Sequence, residues 1–101
     1  MPVTIRTNMP ATPKAKLTPV MVDTPRAFRL VLDNAAHGQQ IIYYTGDLAY
    51  DREATPRPGP EREAICRVAD AALAASDTEK VHLWQRRIGR AQFEYIATVR
   101  R

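Results

Sequence analysis

Near residue 80 the apolar residues change their period from helical to alternating, and no other feature of the chain constrains its fold as much. Before the switch, Ile65, Val68, Ala69 and Ala72 recur at i, i+3, i+4 and i+7, and Cys66 and Leu73 widen the stripe. This predicts a helix that opens at Pro60 with Glu61 and Glu63 in its first turn, where the helix dipole favours acids. It runs to about residue 75, where Ser76-Asp77-Thr78 ends it, and it turns Glu63, Arg67 and Asp70 away from the apolar side. After the switch, residues 81–88 and 93–99 alternate as two strands joined by Gly89-Arg90-Ala91-Gln92, which predicts a β-hairpin with a basic tip.

The earlier half of the chain supplies the elements that a hairpin can pack on. Thr24-Pro25 is an N-cap followed by proline at the first helical position. Phe28, Val31, Leu32 and Ala35 then keep helical spacing, and Gly38 after His37 supplies a left-handed stop, so a first helix is expected over about residues 25–37. Gln40-Ile41-Ile42-Tyr43-Tyr44-Thr45, between Gly38 and Gly46, is dense in β-branched and aromatic residues and reads as a strand. Asp47 is placed to cap a short second helix from Leu48 to about residue 54, which Thr55-Pro56-Arg57-Pro58-Gly59-Pro60 then breaks. Residues 1–22, with four prolines and no helical period, read as an extended or disordered basic arm in which Val20, Met21 and Val22 are a short segment able to dock on the domain.

The resulting order over residues 23–101 is helix, strand, helix, helix, strand, strand. It predicts an α+β domain of three helices with a small three-stranded antiparallel sheet, the element order of a winged helix whose terminal hairpin forms the wing.

The 101 residues suit one domain, and the single cysteine excludes an internal disulfide framework. No apolar run approaches the roughly 18–20 residues of a membrane span, and the N-terminal stretch lacks the apolar segment of a secretory signal, so a soluble cytoplasmic protein is expected. Cys66, His37 and His82 fall on three different elements with no zinc spacing, and neither a metal nor another cofactor is expected. Ser76 is the only serine, no base stands beside it or beside the cap hydroxyls, and Asp47 with Asp51 is explained by capping and helix solvation. Nothing resembles a phosphate-binding glycine loop, so the chain is read as no enzyme. The aromatic residues Tyr43, Tyr44, Trp84, Phe93 and Tyr95 are assigned to sheet packing, with Tyr44 and Trp84 the candidates for exposure.

The net charge of +4 is unevenly distributed. Residues 1–22 carry three cations and no acid, residues 23–79 carry six arginines and ten acids, and residues 80–101 carry six cations and one acid, which gives +3, −4 and +5 in turn. Basic ends point to a polyanion or an acidic protein surface. Arg86, Arg87 and Arg90, crowded with Gln85 and Gln92 around the turn, are the leading candidates for phosphate or minor-groove contact. Arg62 and Arg67 of the third helix and Lys14 and Lys16 of the arm complete the expected nucleic-acid-binding set. Glu63 and Asp70 count against that helix as a DNA reader, as does the proline-rich connection before it, which is longer than a compact helix-turn-helix turn.

Two blocks, Ile41-Ile42-Tyr43-Tyr44-Thr45-Gly46-Asp47-Leu48-Ala49-Tyr50-Asp51-Arg52 and Val81-His82-Leu83-Trp84-Gln85-Arg86-Arg87-Ile88 with Phe93-Glu94-Tyr95-Ile96-Ala97, resemble small uncharacterised proteins encoded by phages and prophages of proteobacteria. The resemblance spans about residues 25–101 and implies a phage origin and the cytoplasm of a bacterial host, but it carries no activity. The sequence thus predicts a regulatory protein that binds double-stranded DNA, compatible with a homodimer. The competing expectation is a protein-interaction module for an acidic surface of a host or phage protein. A third, a subunit of a larger assembly, would show itself as an open strand edge.

Overall fold

A computed structural model describes residues 18–53 and 59–100. In chain order it contains β1 (Val20–Met21), α1 (Pro25–Asn34), β2 (Gln40–Gly46), α2 (Leu48–Glu53), α3 (Gly59–Asp77), β3 (Val81–Gly89) and β4 (Gln92–Val99). The described residues form an α+β domain with three helices and one mixed sheet in the strand order β1-β2-β4-β3. The sheet has one strand more than the sequence predicts. Val20 and Met21 run parallel to Ile41 and Ile42, and the Val22 amide donates to the Ile42 carbonyl at 3.0 Å. This extra strand comes from the short segment at residues 20–22 expected to dock on the domain, and it pairs here because β2 offers it an edge.

α1 begins as its residues dictate. The Thr24 hydroxyl accepts the Ala27 amide at 3.0 Å, Pro25 occupies the first turn, and Phe28 and Leu32 are buried. It ends at Asn34, earlier than the expected stop at His37, because Ala35 is already extended. The sheet claims the residues that follow: the Gly38 amide donates to the Val99 carbonyl, and the Val99 amide donates to the Gln39 carbonyl, both at 2.8 Å. α3 runs two residues past the expected Ala75 and closes with a Schellman turn. In that turn the Glu79 amide donates to Ser76, the Lys80 amide donates to Ala75, both at 2.9 Å, and Glu79 takes φ 61°.

Alternation sorts the sheet into two faces. Ile41 and Tyr43 of β2, Tyr95, Ala97 and Val99 of β4, and Val81 of β3 meet Phe28, Leu32, Val68, Ala72 and Ala75 in the core. Alanines at 69, 72 and 75 leave α3 a low profile against the strands. Phe28 meets Tyr43 edge-on, with ring centroids 6.2 Å apart. On the other face, which is helix-free among the described residues, Ile42, Ile96 and Trp84 stand side by side across β2, β4 and β3, and the Trp84 Nε1 donates to the Thr98 hydroxyl at 2.9 Å. Met21 extends that row across β1.

Candidate nucleic-acid interface

The hairpin tip is built by antiparallel register. Arg86 lies opposite Glu94, Arg87 opposite Phe93, and Gly89 opposite Gln92, with an irregularity between Arg87 and Gly89. Arg90 and Ala91 make the turn, and Ala91 takes the left-handed position at φ 52°. Every residue from Gln85 to Gln92 is exposed.

The three arginines are brought together but do not share a face. Arg86 is on the helix-free side and forms an ion pair with Glu94, which alternation places beside it. Arg87 turns to the opposite side, and its Nε donates to the Gly89 carbonyl at 3.1 Å. Arg90 stands at the tip, with no acidic partner among the described residues. The hairpin tip thus carries guanidinium groups on both sides and at its end, the group that forms forked hydrogen bonds with phosphate or carboxylate oxygens.

α3 presents a different surface. Arg67 pairs with Glu63 one turn away at 3.6 Å, and both remain about two-thirds exposed. Arg62 is half-buried and is already engaged in an interaction of its own. Asp70 holds Arg52 at 3.1 Å, and the Cys66 thiol, followed by that carboxylate, pushes the Arg52 pKa up. With Glu61, Glu63 and Asp70 all exposed, this helix offers mixed charge where base edges call for donors. Lys14 and Lys16 lie outside the described residues. Cys66 is half-buried, His82 is exposed on the helix-free face, and among the described residues no three His, Cys, Asp or Glu side chains gather as a metal site.

Sequence reasoning underestimated the turn between β2 and α2. Asp47 caps α2 as expected, its Oδ1 accepting the Tyr50 amide at 3.3 Å. Asp51, however, is buried, not solvated. Its Oδ2 accepts a hydrogen bond from the Tyr44 hydroxyl and another from the Asp47 amide at 3.3 Å. The Leu48 amide donates to the Tyr95 hydroxyl at 3.0 Å, which ties this turn to β4. Gly46, at φ 143°, gives the oxygen its place, because a Cβ there would lie 2.8 Å from Asp51 Oδ2. A cleft opens beside the turn, lined by Tyr44, Thr45, Gly46, Asp47, Tyr50 and Asp51, with Ala91 and Gln92 of the hairpin tip on its other side. The two sequence blocks at residues 41–52 and 81–97 therefore meet in space. The signal for this was the i, i+4 spacing of Asp47 and Asp51 after a tyrosine pair, which also fits a solvated helix.

Comparisons of the chain with protein-family models, with curated proteins and with solved structures find no match. Among the described residues, no helix is long and apolar enough to cross a membrane.

Proposed function

We propose that this chain is a winged-helix protein of phage or prophage origin that binds double-stranded DNA through the β3–β4 hairpin as its wing, without catalysing a reaction. The observation that carries the reading is the hairpin tip: an exposed ribbon with Arg86, Arg87 and Arg90 on both faces and at its end. The pairing of the early strand β2 with the second strand of the hairpin, in an order where three helices precede it, supports the winged-helix reading. The wing makes the main contact, with Arg67 of α3 and the arm lysines as secondary cations along the backbone. Phosphate contact through guanidinium groups gives affinity before sequence preference. If about five phosphates are neutralised, log affinity falls against log salt with a slope of about −4 to −5. A fluorescence-anisotropy titration of duplex DNA across salt tests this, and binding that ignores salt, or is absent at low salt, overturns it.

The exposed acids of α3 favour a second reading, a module that docks on an acidic protein surface through the same arginines. Phosphates would meet Glu61, Glu63 and Asp70 unfavourably, whereas a partner protein can satisfy them with its own cations. A pull-down from host lysate treated with nuclease separates the two, because a partner bridged by DNA is lost and a direct one is kept.

A further inference from the structure

Tyr43, Tyr44 and Tyr95 stand together on β2 and β4, and their hydroxyls are not equally provided for. The Tyr44 hydroxyl donates to Asp51, and the Tyr95 hydroxyl accepts the Leu48 amide at 3.0 Å. Tyr43 is only 6% exposed, yet its hydroxyl makes no hydrogen bond with any described residue. Burial, followed by Tyr95, pushes its pKa up, as expected of a hydroxyl with no donor beside it. Buried polar groups in folded proteins are nearly always paired, so this one calls for a partner.

Tyr43 has two surroundings. On one side its ring meets Phe28 and Tyr95 in the core. On the other it lines a groove of about 350 Å³ between β2, the N-terminal half of α3 and Asp23, which precedes the α1 cap. The groove is therefore the side from which a partner can reach the hydroxyl. Burial sorts the rest of its lining: Ile65 and Val68 are buried with Tyr43 at depth, whereas Asp23, Glu61 and Ala64 are exposed around the mouth. Among the described residues two acids and no cation line that mouth, and the Asp23 carboxylate pairs with none of them. An apolar wall with a few polar groups, at this volume, is the usual make-up of a small-molecule site.

We propose that this groove binds a small organic amine, with its protonated nitrogen at Asp23, its apolar body on Ile65 and Val68, and a hydrogen-bonding group at its far end on the Tyr43 hydroxyl. Glu61 already has a contact of its own and adds its field at the mouth. A water molecule would satisfy the hydroxyl but leave the apolar wall wet, whereas an organic body covers that wall and carries a polar atom to depth. The acidic mouth repels anions, so this site is separate from any phosphate contact at the hairpin tip.

Tyramine, an arylalkyl amine with a hydroxyl at its far end, is the probe. It is titrated into the full chain without DNA and followed by NMR through the methyl groups of Ala64, Ile65 and Val68. Saturable shifts at these methyls, with a dissociation constant in the millimolar range or tighter, are expected for a ligand of this size. Tyr43→Phe should weaken tyramine by about three- to tenfold and leave phenethylamine, which lacks the hydroxyl, unchanged. That unchanged affinity also shows that the variant keeps the groove. Asp23→Asn should weaken both amines, and 4-ethylphenol, which lacks the amine, should bind more weakly than tyramine. No saturable shift at about 10 mM tyramine overturns the proposal. An equal effect of Tyr43→Phe on the two amines overturns the part given to the hydroxyl. Binding of 4-ethylphenol as tight as that of tyramine, or tyramine binding unmoved by Asp23→Asn, overturns the cationic ligand class.

Discussion

The β2–α2 turn and the β3–β4 tip lie on two sides of one cleft, and they use their polar groups in opposite ways. At the turn four polar groups are matched within the fold: the Tyr44 hydroxyl and Asp47 amide on Asp51, the Leu48 amide on the Tyr95 hydroxyl, and the Tyr50 amide on Asp47. At the tip Arg90 faces water, and Arg86 and Arg87 are held only by neighbours on the hairpin itself. A buried carboxylate is tolerated only when hydrogen bonds replace its water, so the turn is committed to stability. Exposed guanidinium groups add little to stability and remain available to a partner. Distinctive residues in a sequence therefore do not by themselves mark a binding surface. The aspartate cluster is the more unusual motif, yet it is the arginine tip that stays exposed.

Substitutions can break this contrast, and the largest effect is expected at Gly46. Gly46→Ala forces a side chain into a left-handed backbone and against Asp51 Oδ2, and should cost about 2–4 kcal/mol, read from urea or thermal unfolding. An alanine tolerated within a few tenths of a kcal/mol would show that the turn is not tightly built. Asp51→Asn keeps the shape but weakens the bonds from Tyr44 and Asp47, with an expected loss of about 1–3 kcal/mol. That corresponds to several degrees in melting temperature for a domain of this size.

At the tip the expectation inverts. Arg87→Ala with Arg90→Ala should change stability by no more than about 0.5 kcal/mol while lowering the salt slope of DNA binding by about 2 units. A large loss of stability with an unchanged slope would give the tip the role assigned here to the turn. Ala91 adopts φ 52° at some cost, so Ala91→Gly should stabilise the fold by up to about 1 kcal/mol without weakening binding. The smallest effect is expected in alkali. Burial, and then the neighbouring Tyr95, push the Tyr43 hydroxyl above its usual pKa, so folding favours its neutral form. That contribution is complete below the pKa of an unfolded tyrosine, near 10, and is lost as pH rises through the higher folded value. The thermal stability of Tyr43→Phe should accordingly fall less steeply above pH 10 than that of the wild type.

Much of the local structure was legible because it is encoded by near neighbours. The cap at Thr24-Pro25, the stripe Ile65, Val68, Ala69, Ala72, and the alternation on both sides of Gly89 each lie within one element, and each element formed there. The end of α1 was not legible, because hydrogen bonds from Val99, far along the chain, draw Gly38 and Gln39 into the sheet. The faces of Arg86 and Arg87 were legible from the period of two. The ion pair of Arg86 with Glu94 depends on hairpin register, and that of Asp70 with Arg52 on how α2 packs against α3.

The sequence by itself determined that the chain is α+β, that it ends in a hairpin, and that positive charge gathers at the tip, because periodicity, caps and charge runs are properties of adjacent residues. Tertiary structure alone decided that Asp51 is buried and bonded by Tyr44, that residues 41–52 meet the hairpin, and that β3 is the end strand of the sheet. These depend on contacts between residues distant in sequence, where burial turns an ordinary acid into a structural centre and strand order chooses which backbone groups remain unpaired.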